Sequence, residues 1–246
     1  MPRFFVDDIA GDVIYITGDD AHHISRSLRM RTGEQLVVCD GRGTDCQCVI
    51  DSVYDEQVAL RVLNRLASKS EPDVKVTLYQ GYPKGDKLET IIEKSVELGV
   101  YEIVPVLTER SVARPDAKSA AKKQERWQRR SLEAAKQCGR GIIPQVAPLA
   151  DISELPSLLS RHGLCLFCYE LGGESLKTII CGRVGDAIPD DIAVFIGPEG
   201  GISAEEAALL QGCGCRAATL GGRILRCETA PLAALAAIMT LTGNMD

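Results

Sequence analysis

The sequence lacks any run of about 18 apolar residues, and it lacks the basic start followed by an apolar stretch that marks a signal peptide. These two absences predict no membrane partner and make the cytoplasm the expected compartment. With 246 residues, 45% of them hydrophobic, the chain is long enough for one large domain or two small ones with a buried core.

Histidine is also scarce, with three residues, whereas there are ten cysteines. One CxxC, Cys165 to Cys168, lies in a segment typical of a buried strand, where residues three apart point to opposite faces. Two other cysteine pairs are spaced two apart, yet no second CxxC is present to complete a tetrahedral zinc set. The sequence therefore predicts no metal site, and reduced, packed thiols.

The familiar nucleotide motifs are missing as well. The chain contains neither G-x-x-x-x-G-K-[ST] nor G-x-G-x-x-G after a strand. Their absence disfavours a triphosphate or a dinucleotide as the ligand.

The net charge of −6 argues against a nucleic-acid partner, but residues 110–140 reverse it locally. This segment has ten basic and three acidic residues, a net of +7, which leaves −13 for the rest of the chain. A basic helix over about residues 116–138 can be a solvated face or a phosphate-tracking surface, and charge alone leaves both interpretations open.

Two domains are predicted from the change in pattern along the chain. Residues 1–70 contain short strands separated by turns, which predicts a small β-barrel. One helix is predicted over residues 20–29, capped by Asp19 or Asp20. The strands of this β-barrel are predicted at residues 4–6, 12–17, 35–39, 45–54 and 57–66. The polar segment 68–73 places the domain boundary near residue 70.

Residues 71–246 alternate strands with helices, which predicts an α/β domain with a mostly parallel sheet. Its strands are predicted at residues 74–80, 102–107, 164–169, 192–196 and 216–220. The helix 87–98 has Leu88, Ile91 and Ile92 at core spacing and ends at Gly99.

Two glycine-rich turns carry the signal for chemistry. AVFIGPEGGISAEE joins a strand to a helix whose start is fixed by a capping box of Ser203 and Glu206. LGGRILRCETA ends the next strand and adds Arg223, Arg226 and Glu228. In open α/β sheets ligands bind at the carboxyl ends of strands, so two turns delivered by two adjacent strands predict a ligand site.

The sequence resembles the RsmE-type 16S ribosomal RNA uridine-N3 methyltransferases of the SPOUT class. The resemblance spans nearly the whole chain, from HHISRSLRMRTGE and KGDKLETIIEKSVELGV to GPEGG and LGGRILRCETA. Ile202 departs from the pattern, because members often have an aromatic residue there. GPEGG followed by LGGRILRCETA is the most specific part of the resemblance.

The resemblance implies a PUA-like barrel for the first domain and a trefoil-knotted α/β domain for the second. It implies a homodimer that holds S-adenosylmethionine in the knot and methylates a uridine of 16S rRNA in the small ribosomal subunit. The residues expected around this cofactor are Ile196, Gly197, Pro198, Glu199, Gly200, Gly201, Leu220, Gly221, Arg223, Ile224, Leu225 and Thr229.

Methylation of uridine N3 requires loss of the imide proton and alignment of the nitrogen lone pair with the methyl group. We therefore expect Arg226 to stabilise the uracil anion and Glu228 to act as base or orienting residue, although Glu228 could equally pair with an arginine and cap the last helix. Family members carry HxxxxLR where this chain has His23, Leu28 and Arg29. The residues expected to contact RNA are His23, Arg26, Arg29, Arg31, Arg110, Arg126, Arg129 and Arg140.

Two other functions remain as alternatives. A non-catalytic RNA-binding assembly factor could keep the same fold, but the intact glycine turns argue against it. A metabolic enzyme that uses another nucleotide is disfavoured by the missing phosphate-loop motifs.

Overall fold

The computed structural model describes residues 1–54, 56–182 and 189–245. The chain divides into two compact units. Unit 1 comprises Met1–Glu71 and Ala135–Ile143, and unit 2 comprises Pro72–Ala134 and Pro144–Asp246.

Unit 1 is built on a five-stranded sheet with the order β1-β3-β4-β5-β2. All its pairings are antiparallel except that of β1 with β3. The inward residues of each strand, such as Leu36, Val38, Ile50 and Leu60, form one core, as alternation predicts. The five strands agree with the predicted ones to within two residues: β1 (Arg3–Phe5), β2 (Val13–Thr17), β3 (Gln35–Cys39), β4 (Thr44–Val53) and β5 (Gln57–Ala67).

The helical segment after β2 differs from its prediction. It consists of a short helix, α1 (Gly18–His22), followed by a π-helical turn, His23–Ser27, closed by the Leu28 N–H on the His23 carbonyl at 2.9 Å. The N-cap is Thr17, which makes no side-chain cap bond, so the predicted aspartate cap is wrong. Arg29 follows with φ 52°, a left-handed conformation that is uncommon for a residue with a side chain.

Unit 2 contains a wide sheet in which every pairing of the described strands is parallel. The strand order is β11-β13-β10-β12-β6-β7-β8, and β9 also pairs with β7. The strands are β6 (Lys75–Gly81), β7 (Glu102–Leu107), β8 (Gln145–Val146), β9 (Ala150–Asp151), β10 (Leu164–Cys168), β11 (Glu174–Ser175), β12 (Asp191–Ile196) and β13 (Arg216–Thr219).

The helices begin and end close to the predicted points. Leu88, Ile91 and Ile92 are buried as their spacing predicts, and the backbone turns at Gly99 with φ 91°. The helices are α2 (Lys87–Glu97), α3 (Ala117–Cys138), α4 (Leu155–Leu159), α5 (Leu176–Cys181), α6 (Ala204–Gly212) and α7 (Ala230–Leu241), with a 3₁₀ turn at Ile152–Glu154.

The strand order corrects one expectation. The strands that carry the two glycine turns, β12 and β13, are not adjacent, because β10 lies between them and pairs with both. The prediction failed because consecutive strands were assumed to be neighbours, which is a tendency and not a rule. The expected knot stays a prediction.

All ten cysteines are thiols rather than disulfides. Six are buried, Cys168 and Cys213 are partly exposed, and Cys138 and Cys181 are exposed, so the expectation of packed thiols holds for most of them. Within the described residues there is no group of three or more histidines, cysteines or acids that could hold a metal ion. In the same part of the chain, no helix combines the length and apolar character needed to cross a membrane.

Candidate active site

A cleft of about 910 Å³ lies where several parallel strands of unit 2 end. Strands β13, β10 and β12 are neighbours with the same direction, so the segments that follow them meet at one edge of the sheet. The cleft is lined by residues 168–172, 196–201, 219–227 and 230. The edge therefore supplies three segments to one site, one more than the sequence predicted.

The first glycine turn, residues 197–203 after β12, is packed too closely for side chains. A Cβ on Gly81, at the end of β6, would lie 2.5 Å from Pro198 Cδ and 2.9 Å from the Gly197 carbonyl carbon. Gly201 has φ +71°, and a Cβ there would lie 2.1 Å from a carboxylate oxygen of Glu170. Glycine is required at these positions by close approach and by backbone conformation.

Helix α6 begins directly after this turn, and its first residues fix the turn. The predicted capping box is present: Ser203 Oγ accepts from the Glu206 N–H at 3.2 Å, and Glu206 accepts from the Ser203 N–H at 2.9 Å. Glu206 also accepts from the Glu109 N–H, beyond β7, at 2.8 Å. The buried Glu206 carboxylate therefore connects the start of α6 to the loop that follows β7.

The second glycine turn, residues 220–229 after β13, is open. A Cβ on Gly221 or Gly222 would meet nothing within 4 Å, and Gly221 has φ +101°. Arg223 and Arg226 are exposed, and the Ile224 side chain at the cleft is 88% exposed. This turn thus presents two cations and an apolar side chain toward space that a ligand can occupy.

Lys87, the first residue of α2, connects the two turns. Its ammonium lies 3.0 Å from Glu199 Oε1 in the first turn and 3.3 Å from Glu228 Oε2 in the second. The Lys84 N–H donates to Glu199 at 3.3 Å. Cys227, buried next to Glu228, has its thiol 3.2 Å from the Glu228 carboxylate.

The charges of this group follow from these contacts. The Cys227 thiol, the Glu228 N–H and the Lys87 ammonium hold the pKa of Glu228 below its usual value. Partial burial acts to raise the pKa of Glu199, but hydrogen bonds from its own N–H and from Lys87 outweigh burial, and the net pKa is lowered. Burial raises the pKa of Cys227 to about 12. At neutral pH the group holds two carboxylates, one ammonium and a neutral thiol.

The third segment, residues 169–172 after β10, was missed by sequence reasoning. Glu170 is exposed, lines the cleft and lies against Gly201. Lys87 and Gly81 were missed too. A usable signal was present, because KGDK follows β6 and YELGG follows β10, each a polar or glycine-rich segment directly after an apolar strand.

The structure brings together most of the residues expected around the cofactor. All of them line the cleft except Thr229. Of the two residues expected to take part in chemistry, Arg226 lines the cleft and Glu228 does not. Glu228 pairs with a lysine of α2 rather than an arginine, and the N-cap of α7 is Thr229, so Glu228 does not cap that helix.

In unit 1, the expected RNA contacts separate into two kinds. His23, Arg26, Arg29 and Arg31 are exposed and lie within nine residues of one another around the π-helical turn. Arg140 is different, because its side chain is 4% exposed and its guanidinium pairs with Glu71 at 2.6 Å. Lacking free surface, Arg140 does not fit the RNA contact that the sequence suggested, since its charge serves a buried ion pair.

In unit 2, the three expected arginines are exposed but differ in their contacts. Arg110 Nη1 donates to the Gly200 carbonyl at 2.9 Å, so this side chain supports the first turn. Arg126 pairs with Glu89 and with Asp86. Arg129 lies on the exposed face of α3.

Comparison with known proteins gives consistent matches over nearly the whole chain. Residues 70–239 match the family model of an RNA methyltransferase domain, and residues 16–63 match an RNA methyltransferase PUA domain. A relative from Bacillus subtilis (strain 168), "Ribosomal RNA small subunit methyltransferase E", is 36% identical over 97% of this chain and 96% of its own. One of the same name from Mycobacterium bovis is 32% identical over 99% of this chain and 93% of its own.

Solved structures agree with this result. A ribosomal RNA small subunit methyltransferase E from Neisseria gonorrhoeae, bound to S-adenosyl methionine, is 31% identical with a TM-score of 0.83, covering 98% of both chains. A putative methyltransferase from Legionella pneumophila in complex with the same cofactor is also 31% identical, with a TM-score of 0.81 over 97% of this chain and 96% of its own.

Proposed function

Because the chain belongs to the ribosomal RNA small subunit methyltransferase E family, we propose that it transfers a methyl group from S-adenosylmethionine to N3 of a uridine in 16S rRNA of the small ribosomal subunit. The observation that carries this proposal is the cleft of unit 2, where two glycine turns and a third segment meet at one edge of a parallel sheet.

The residues of the cleft fit S-adenosylmethionine. A volume of about 910 Å³ lies within the range of about 300 to 1,000 Å³ usual for small-ligand sites. Ile196, Leu220 and Leu225 offer apolar contact for an adenine ring, and the glycine turns allow backbone groups to approach the ligand. Glu170 places a carboxylate beside the first turn, which suits a ligand with a cationic sulfonium and ammonium. When bound, the cofactor supplies an electrophilic methyl group.

The residues of this chain must then position the base and stabilise its anion. Positioning two reactants can contribute about 7 to 11 kcal/mol, so orientation alone supplies a large share of the acceleration. Arg226, exposed in the cleft, is the cation that we assign to the negative charge that develops on uracil when N3 gives its proton to solvent water.

For Glu228 the geometry supports orientation over proton transfer. Its carboxylate lies outside the cleft lining and is held by Lys87, and its lowered pKa makes it a weaker proton acceptor than a base tuned to neutral pH. We therefore assign Glu228 to holding the second turn, next to Arg226.

The substrate is large and anionic, which gives the exposed arginines a function. We assign RNA contact to His23, Arg26, Arg29 and Arg31 of unit 1 and to Arg129 of unit 2.

A homodimer and a cytoplasmic location belong to the same proposal. The alanine-rich face of α7, where Ala233, Ala236 and Ala237 lie in a shallow apolar groove, suits association with a second copy.

The test is incubation of the purified chain with methyl-labelled S-adenosylmethionine and unmethylated small ribosomal subunits. Label at N3 of one uridine of 16S rRNA is the expected result. Binding of the subunit without label would favour the non-catalytic assembly factor, and label at another atom would overturn the assignment of N3. Arg226→Ala should keep cofactor binding and reduce turnover by about 10²-fold or more, the effect of removing one oxyanion donor.

A further inference from the structure

Lys87 is placed where it can control the arrangement of both glycine turns. It begins α2, which follows β6, and its side chain lies in neither turn. Yet its ammonium contacts Glu199 of the first turn at 3.0 Å and Glu228 of the second at 3.3 Å. It thus forms a bridge between two segments that are distant in sequence.

No strand pairing makes this connection, because β12 and β13 are separated by β10. The first turn is also held by Gly81, Glu206 and Arg110. For the second turn, a Cβ at Gly221 or Gly222 would meet nothing within 4 Å, so its first residues have little packing. An ion pair at its far end therefore has more effect on the second turn than on the first.

Both carboxylate oxygens lie within 3.3 Å of the same ammonium, so without it two negative charges would lie close together. Like charges held close together repel, and the repulsion would move the second turn, whose first residues are exposed, away from the first. Arg226 and Leu225 lie in that turn and line the cleft, so its displacement would change the site itself.

From this geometry we propose that Lys87 is a positioning residue, which holds the two glycine turns in the arrangement that binds the cofactor. The inference rests on the proposed function, because it names the residue that keeps that same cleft competent. Lys87 is not a catalytic residue, since it acts through Glu199 and Glu228.

Lys94 offers a matched control on the same helix. Its ammonium also pairs with two carboxylates, those of Glu93 at 2.9 Å and Glu97 at 2.8 Å. Both partners belong to α2, however, so this lysine connects no separate segments. Lys94→Met removes the same charge and a comparable set of ion pairs without touching the turns.

The experiment measures the dissociation constant of S-adenosylmethionine by calorimetry, and KM and kcat on unmethylated small subunits, for the full chain and its variants. Lys87→Met should weaken cofactor binding about tenfold, as expected if only a tenth of the molecules keep the competent arrangement. Saturating cofactor should restore most of kcat, because binding selects that arrangement. Lys87→Arg should remain within about threefold of the unmodified chain, and so should Lys94→Met.

Removing one of the two carboxylates tests whether their repulsion is the cause of the weaker binding. If repulsion displaces the turn, Lys87→Met with Glu228→Gln should bind the cofactor more tightly than Lys87→Met alone. Unchanged binding by Lys87→Met, or an equal weakening in Lys94→Met, would overturn the inference. Should Lys87→Met fail to fold by circular dichroism, Lys87→Gln is measured in its place with the same expected weakening. Failure of the unmodified chain to bind the cofactor would instead contradict the proposed function.

Discussion

Gly81 is the residue for which the structure gives the clearest prediction of the effect of a substitution. An alanine Cβ there would lie 2.5 to 2.9 Å from atoms of Pro198 and Gly197. These atoms belong to the backbone or to the rigid proline ring, so they cannot move aside as a flexible side chain would. The first turn must therefore shift, and overpacking of this kind costs about 1 to 3 kcal/mol. We expect Gly81→Ala to lower the melting temperature and to weaken S-adenosylmethionine binding at least tenfold, as measured by calorimetry.

Gly212→Ala is the control for this change. Gly212 ends α6, and a Cβ there meets nothing within 4 Å. Alanine should leave cofactor binding unchanged and keep or slightly raise stability, because glycine costs about 0.5 to 1 kcal/mol relative to alanine in a helix. Cofactor binding by Gly81→Ala equal to that of Gly212→Ala would show that the turn tolerates the shift.

For single residues, the sequence predicted the two glycine turns but not the residues that pack against them. Gly197, Gly200 and Gly201 stand out because they cluster directly after a strand and a second glycine turn follows the next predicted strand. Gly81 and Lys87 do not, because their significance depends on which turn folds against them. A residue whose role is to touch a segment more than 100 positions away leaves no local pattern.

Helix α6 shows how one element holds the site. Glu206 accepts two backbone N–H groups, those of Ser203 and Glu109, and is buried. Glu206→Ala leaves both donors without this acceptor, at about 1 to 3 kcal/mol each when water cannot reach them. We expect the melting temperature to fall by about 4 to 8 °C for a destabilisation of about 2 kcal/mol, measured by scanning calorimetry.

The neighbouring Glu205 provides the comparison, because it lies in the same first turn of α6 and is exposed. Glu205→Ala should change the melting temperature by a degree or two, through its weak interaction with the helix dipole. Equal effects of the two substitutions would mean that the capping box contributes nothing beyond charge.

Elements were predicted better than their arrangement. Residue patterns located α2 and β7 to within a residue, and the capping box located the start of α6, because these signals lie within the element itself. The π-helical turn at His23–Ser27 was not predicted, since its hydrogen bonds span five residues where the pattern of an α-helix spans four. The position of β10 between β12 and β13 was missed because strand order depends on long connections.

For the whole molecule, the question is how a chain of net charge −6 binds RNA. The sequence indicates that RNA binds at local basic clusters. One is residues 110–140, with a net charge of +7, and the other is the three arginines near the π-helical turn of unit 1. Replacing Arg26, Arg29 and Arg31 by alanine should weaken binding to small ribosomal subunits. The slope of log affinity against log salt should become shallower by about 0.7 to 0.9 for each phosphate that the variant no longer neutralises.

A charge-matched control separates local interaction from net charge. Lys69, Lys75 and Lys94 lie outside both basic clusters, and their replacement by alanine removes the same three charges. If RNA affinity depended on net charge alone, both triple variants would be weakened equally. We expect the arginine variant to be weakened far more, measured by titration at several salt concentrations, because binding to phosphates depends on where the cations lie and not on the molecule's total charge.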